Sequence, residues 1–105
     1  MSETLQPEQP QQPTLTQTKT DAYRENYANS VHVKMSVWDI SLVFGVMSQE
    51  KANEVELENF QTIFLSPQQA KALLYVLSQN VQQYEQTFGE LKLEPSFAPA
   101  EGQIN

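Results

Sequence analysis

The sequence predicts an α+β fold, a three-stranded antiparallel meander followed by one long C-terminal helix in a two-layer arrangement. Residues 31–47 hold two apolar runs with a period of two, separated by a turn signal. A third such run fills residues 54–65, and residues 66–89 switch to a helical period with a start and a stop written at its ends. Strands that come first and a helix that comes last, each with one apolar side, are expected to cover one another.

The strands follow from alternation. Val31, Val33, Met35 and Val37 alternate with Ser30, His32, Lys34 and Ser36, which gives one buried and one wet face. Trp38-Asp39 ends that run in a tight turn, because Ser36 and Asp39 both carry oxygens that bond nearby backbone. Ile40, Leu42, Phe44 and Val46 then share one face, and Val43 and Met47 make the opposite face apolar as well, so this strand is expected to be central or to touch a second subunit. Ser48 to Asn53 reads as a polar hairpin connection. In the third run Val55 and Leu57 face inward against Glu54, Glu56 and Glu58, while Phe60 and Phe64 fall in the outward phase and Ile63 and Leu65 in the inward one. Either a bulge near Asn59 resets the register, or the second face is covered at this end.

The helix is punctuated at both ends. Ser66 is placed to accept a backbone N–H, Gln69 stands at the third position of a capping box, Pro67 occupies the first helical position and Gly89 ends the run. Ala70, Leu74, Leu77, Val81, Tyr84 and Phe88 step by four and three residues, an a/d stripe expected to pack on the sheet. Ala72, Tyr75 and Val76, with Leu73 beside the stripe, add apolar surface that one small sheet does not cover. Ala72, Tyr75 and Val76, together with Phe60, Phe64 and Val43 from the strands, are the expected surface for self-association or for a partner.

The flanks have a different character. Residues 1–22 contain Pro7, Pro10 and Pro13 among glutamines and threonines and are expected to form a disordered tail. Residues 23–92 form the domain, with Tyr23 and Tyr27 at its core edge, and residues 93–105, with Pro95, Pro99 and Gly102, are expected to be flexible. With 105 residues and no cysteine the chain has neither the length for a second core nor disulfides to staple a small one, so association is a natural source of stability. The absence of cysteine also fits a reducing, cytoplasmic setting. A formal charge of −7 repels phosphate backbones and anionic head groups, and no apolar run reaches membrane length; neither nucleic acid nor membrane is an expected partner.

No residue set dictates a chemistry. His32 is the sole histidine and reads as a strand surface residue, Asp39 as a turn residue, and Glu54, Glu56 and Glu58 as a solvated strand face rather than a hard-cation site. The glycines at 45, 89 and 102 form no phosphate loop. No catalytic residue, metal or cofactor is expected.

The segments Tyr27-Ala28-Asn29-Ser30-Val31-His32-Val33, Trp38-Asp39-Ile40-Ser41-Leu42-Val43-Phe44-Gly45, Leu65-Ser66-Pro67-Gln68-Gln69-Ala70-Lys71-Ala72-Leu73-Leu74 and Tyr84-Glu85-Gln86-Thr87-Phe88-Gly89-Glu90-Leu91 resemble a bacterial family of short proteins, the domain of unknown function DUF3467. The resemblance spans about residues 25 to 92, with both tails outside it, and implies a small prokaryotic protein with no assigned activity. The order of elements is also similar, as a fold-level analogy, to SecB-type export chaperones. The expected function is a non-enzymatic protein-interaction module acting as a homo-oligomer. The alternatives are a SecB-like chaperone for unfolded clients, and a ligand-binding domain or enzyme with Trp38, Asp39 and His32 or Tyr75 around an intersubunit pocket.

Overall fold

A computed structural model describes residues 12–93 and the backbone of Gln103 and Ile104. The elements follow in the expected order: strand β1 (Ser30–Met35), strand β2 (Ile40–Lys51), strand β3 (Glu54–Leu65) and helix α1 (Pro67–Phe88). The fold is α+β, three antiparallel strands in a meander followed by one helix. A short strand β4 (Gln103–Ile104), absent from the sequence reading, pairs with β1 through Val31 and His32, so the sheet order is β3-β2-β1-β4. It lies within the segment expected to be flexible. The expectation of disorder for residues 1–11, and the Pro95, Pro99 and Gly102 signals, fall outside the described residues.

The register sorts the strands onto two faces, since directly paired residues point the same way. Val31 opposite Phe44, Val33 opposite Leu42 and Met35 opposite Ile40 belong to one face. β3 adds Ile63 against Leu42 and Leu65 against Ile40. This first face is mainly apolar, with Gln61 opposite Phe44 as its polar member. The second face carries His32, Lys34, Ser41, Val43, Thr62 and Phe64.

Between Phe44 and Gly45 the partner on β3 advances from Gln61 to Asn59, leaving Phe60 as the extra residue of a bulge. The bulge alternative of the sequence reading holds, within one residue of Asn59. Its effect is to exchange the faces. Leu57, opposite Met47, joins the second face, whereas Glu58 and Glu56, opposite Val46 and Ser48, extend the first. Val55 and Leu57 are therefore not in phase with Ile63 and Leu65, as unbroken alternation would have them. Gly45 permits this: a Cβ there would lie 2.5 Å from Asn59 Oδ1 and 2.9 Å from the Glu58 carbonyl oxygen.

Both hairpin turns are explicit in the hydrogen bonds. At the first, Ser36 N–H donates to Asp39 O at 2.8 Å. Ser36 Oγ accepts from Trp38 N at 3.1 Å and from Asp39 N at 3.2 Å, and donates to Asp39 Oδ1 at 3.1 Å. At the second, the ladder runs on through the stretch read as a loop. Ser48 and Lys51 pair with Glu56 and Glu54, and Gln49 Nε2 donates to Ala52 O at 2.9 Å. Polar sequence hid this part of the strands because both of its faces are exposed.

α1 is capped as its sequence dictates. Gln69 N–H donates to Ser66 Oγ at 3.1 Å, and Gly89 N–H donates to Glu85 O at 2.9 Å. Gly89 has φ 109° and ψ 165°, a positive φ suited to glycine, but extended in ψ rather than left-handed helical. The packing differs from expectation. No residue of α1 is buried, and the helix does not lie over its own sheet. The two layers are present as elements but are not stacked within one copy. Among the described residues no apolar side chain is buried; Ser30 and Ser41 are the buried polar ones. Tyr23 and Tyr27, read as a core edge, are exposed as well. The radius of gyration is 20.8 Å, against about 13 Å for a compact chain of this length.

Candidate functional site

Three surfaces emerge from this arrangement. The first is the helix stripe. Leu74 (66% exposed), Leu77, Val81, Tyr84 and Phe88 (73% exposed) stand open along one side, with the Tyr84 and Phe88 rings tilted together at 4.9 Å between centroids. At 100° per residue these positions converge on one line. Ala72, Tyr75 and Val76 lie away from it, on the far side of the same helix, where they precede the neutral amides of Gln79, Gln83 and Gln86.

The second surface is a groove on the second sheet face, lined by Lys34, Met35, Ser36, Asp39, Ser41, Val43, Thr62 and Phe64. Buried Ser41 and half-buried Val43 of β2 make its floor, and the β1–β2 turn closes one end. Val43 and Phe64 are brought together here, as neighbours on one face. Phe60 stands at the bulge and does not line the groove. The expected partner surface is thus split: Val43 and Phe64 on the sheet, Phe60 at the kink, and Ala72, Tyr75 and Val76 on the helix.

The third surface was missed by the sequence reading. Met35, Val37 and Trp38 are each 83–85% exposed at the tip of the first hairpin. Val37 continues the alternation of β1 and so read as a core residue, but it lies past the last ladder pair, Met35 with Ile40. The turn pairing of Ser36 with Asp39 is the signal that places it outside the strand.

The residues considered for chemistry do not form one constellation. Asp39 is engaged with Ser36 in the turn, His32 pairs across from Val43, Trp38 projects into solvent, and Tyr75 belongs to the helix. Of these four only Asp39 lines the groove. Among the described residues no group of three or more histidine, aspartate or glutamate side chains is placed to hold a metal ion, and no helix is long and apolar enough to cross a membrane. What the surfaces can do chemically is bury apolar area against another polypeptide.

The family model described as "Protein of unknown function (DUF3467)" matches residues 1–93. The match takes in the N-terminal segment that the sequence reading left outside. No curated protein and no solved structure matches.

Proposed function

We propose that this chain, which belongs to the DUF3467 family, is a non-enzymatic protein-interaction module that acts as a homo-oligomer in the cytoplasm. One observation carries the reading: no apolar side chain among the described residues is buried, while Leu74, Leu77, Val81, Tyr84 and Phe88 form an open line along α1. A folded domain gains most of its stability from apolar burial, at about 1.5–3 kcal/mol per large side chain. A single copy forgoes that gain, and association supplies it.

Light scattering on eluting size-exclusion peaks tests this at micromolar concentration. An oligomer is expected; a clean monomer of 12.0 kDa overturns the reading.

The groove around Val43 and Phe64 favours a second reading, in which the oligomer also binds unfolded segments of other proteins in the manner of SecB-type chaperones. An extended apolar segment fits a shallow, partly apolar groove better than a compact polar ligand does. Suppression of the aggregation of an unfolding client at stoichiometric ratio is expected, with loss of the effect in Phe64→Ser. No suppression by the wild-type chain rejects it.

A further inference from the structure

Building on the self-association reading, we propose that the homo-oligomer is a helix-swapped dimer, in which each α1 lays its stripe on the mainly apolar first sheet face of the other copy.

The junction between β3 and α1 is the primary reason. β3 ends at Leu65 and α1 begins at Pro67, so Ser66 alone connects them. Folding a helix back onto the sheet it has just left usually takes a connection of about 2–6 residues. Ser66 is also fixed. It is extended at φ −61° and ψ 153°, the conformation that a following proline enforces, and its Oγ and carbonyl oxygen are held by the N–H groups of Gln69 and Ala70 at 3.1 and 2.9 Å. Rotation at Ser66 would break the cap. A connection too short to close within the chain directs its helix to a neighbour, which is the usual origin of an exchanged element.

The chain also carries both halves of the contact. Among the described residues the stripe centred on Leu77 is apolar and open, and the sheet face built around Val33, Leu42 and Ile63 is no more than half-buried. A two-fold axis satisfies both at once: the helix of one copy covers the sheet of the other, and the reverse contact follows by symmetry. Two stripes packed on each other as a coiled coil would leave that sheet face open. Each large stripe side chain has on the order of 100 Å² to remove from water. With the sheet surface that it covers, and with the contact doubled by symmetry, the total is roughly 1,500–2,000 Å², the range of a stable, specific interface. The arrangement closes at two copies and leaves the Val43–Phe64 groove on the opposite sheet face open.

The absence of cysteine in the sequence makes a direct test possible. One preparation carries Leu42→Cys on the sheet, another Leu77→Cys on the helix, and the two are mixed under conditions that exchange subunits and then oxidised. A covalent dimer is expected in the mixture as the main cross-linked product, with little in either variant alone. Val33→Cys with Val81→Cys supplies a second pair if the first disturbs folding, judged by circular dichroism.

In a separate variant, Gly-Ser-Gly-Ser inserted between Leu65 and Ser66 lets α1 reach its own sheet. A tethered helix competes at an effective concentration near millimolar, so the dimer dissociation constant is expected to rise at least about tenfold. A wild-type dimer in which Leu77→Cys alone cross-links, or in which the insertion leaves dissociation unchanged, overturns the swap and leaves self-association standing. A wild-type monomer overturns both.

Discussion

The side-chain amide of Asn29 makes a two-way hydrogen-bonded pair with the backbone of Met47. Its Nδ2 donates to Met47 O at 3.0 Å and its Oδ1 accepts from Met47 N at 2.6 Å, while Asn29 N–H donates to Gly45 O at 3.1 Å. The amide has the donor and acceptor of a peptide group, so it prolongs the pairing of β1 with β2 past Ser30 without another strand residue. It also holds the backbone of β2 two residues beyond Gly45, the point at which the bulge interrupts the ladder with β3 on the other side.

Loss of that pair has a readable cost. Replacing Asn29 by Ala removes two hydrogen bonds at an exposed site, each with a net contribution of about 0.5–1.5 kcal/mol. A destabilisation of about 1–2 kcal/mol is expected in urea unfolding. Asn29→Asp, which keeps the acceptor and loses the donor, is expected to fall between the two. A wild-type midpoint for Asn29→Ala would show the pairing to be incidental.

Gly45 is the tighter constraint. A methyl group at this position meets Asn59 Oδ1 at 2.5 Å and, less avoidably, the Glu58 carbonyl at 2.9 Å. The side-chain amide can swing away, but the backbone oxygen belongs to the bulge itself. Gly45→Ala is therefore expected to cost about 1–3 kcal/mol, and Gly45→Ala combined with Asn59→Ala to recover only part of it. Full recovery in the double variant would assign the crowding to the side chain alone.

Trp38 is the single tryptophan and stands 83% exposed at the hairpin tip. It offers a direct spectroscopic view of what the tip does. If the tip stays in water, emission keeps the position of a solvated indole at every protein concentration, and Trp38→Ala changes stability by less than about 0.5 kcal/mol. A blue shift that grows with concentration would place the tip inside the assembly. We expect the first outcome, because the proposed contact uses the middle of the sheet and not its turn.

Much of this fold was legible from residue spacing. Alternation from Val31 to Met35 and from Ile40 to Phe44 locates the paired region, Ser36 and Asp39 locate its turn, and Ser66, Pro67 and Gly89 bound the helix within a residue. The out-of-phase Phe60 and Phe64 pointed either to a bulge near Asn59 or to a covered second face, and the register shift at Gly45 decides for the bulge. Other features left no trace in the pattern. Ser48 to Lys51 pair as strand although nothing about polar residues on an exposed hairpin favours pairing over a loop. Gln103–Ile104 are too few to show a period. The stripe from Ala70 to Phe88 revealed which side of the helix seeks cover but not whose surface provides it. Periodicity encodes a face, whereas the partner of a face is decided by the length and stiffness of its connection, here the single residue Ser66.

The open stripe from Leu74 to Phe88 also has a bearing on how long the protein lasts in a cell. A chain that hides its apolar residues only in company is conformationally secure in proportion to its own abundance, since association lowers the population of the vulnerable form by mass action. In the proposed dimer, newly made or orphaned copies would present their least protected segments to proteases, and assembled copies would withdraw them. For such a dimer, turnover is then expected to rise as expression falls, with the protein's own supply as the control on its lifetime.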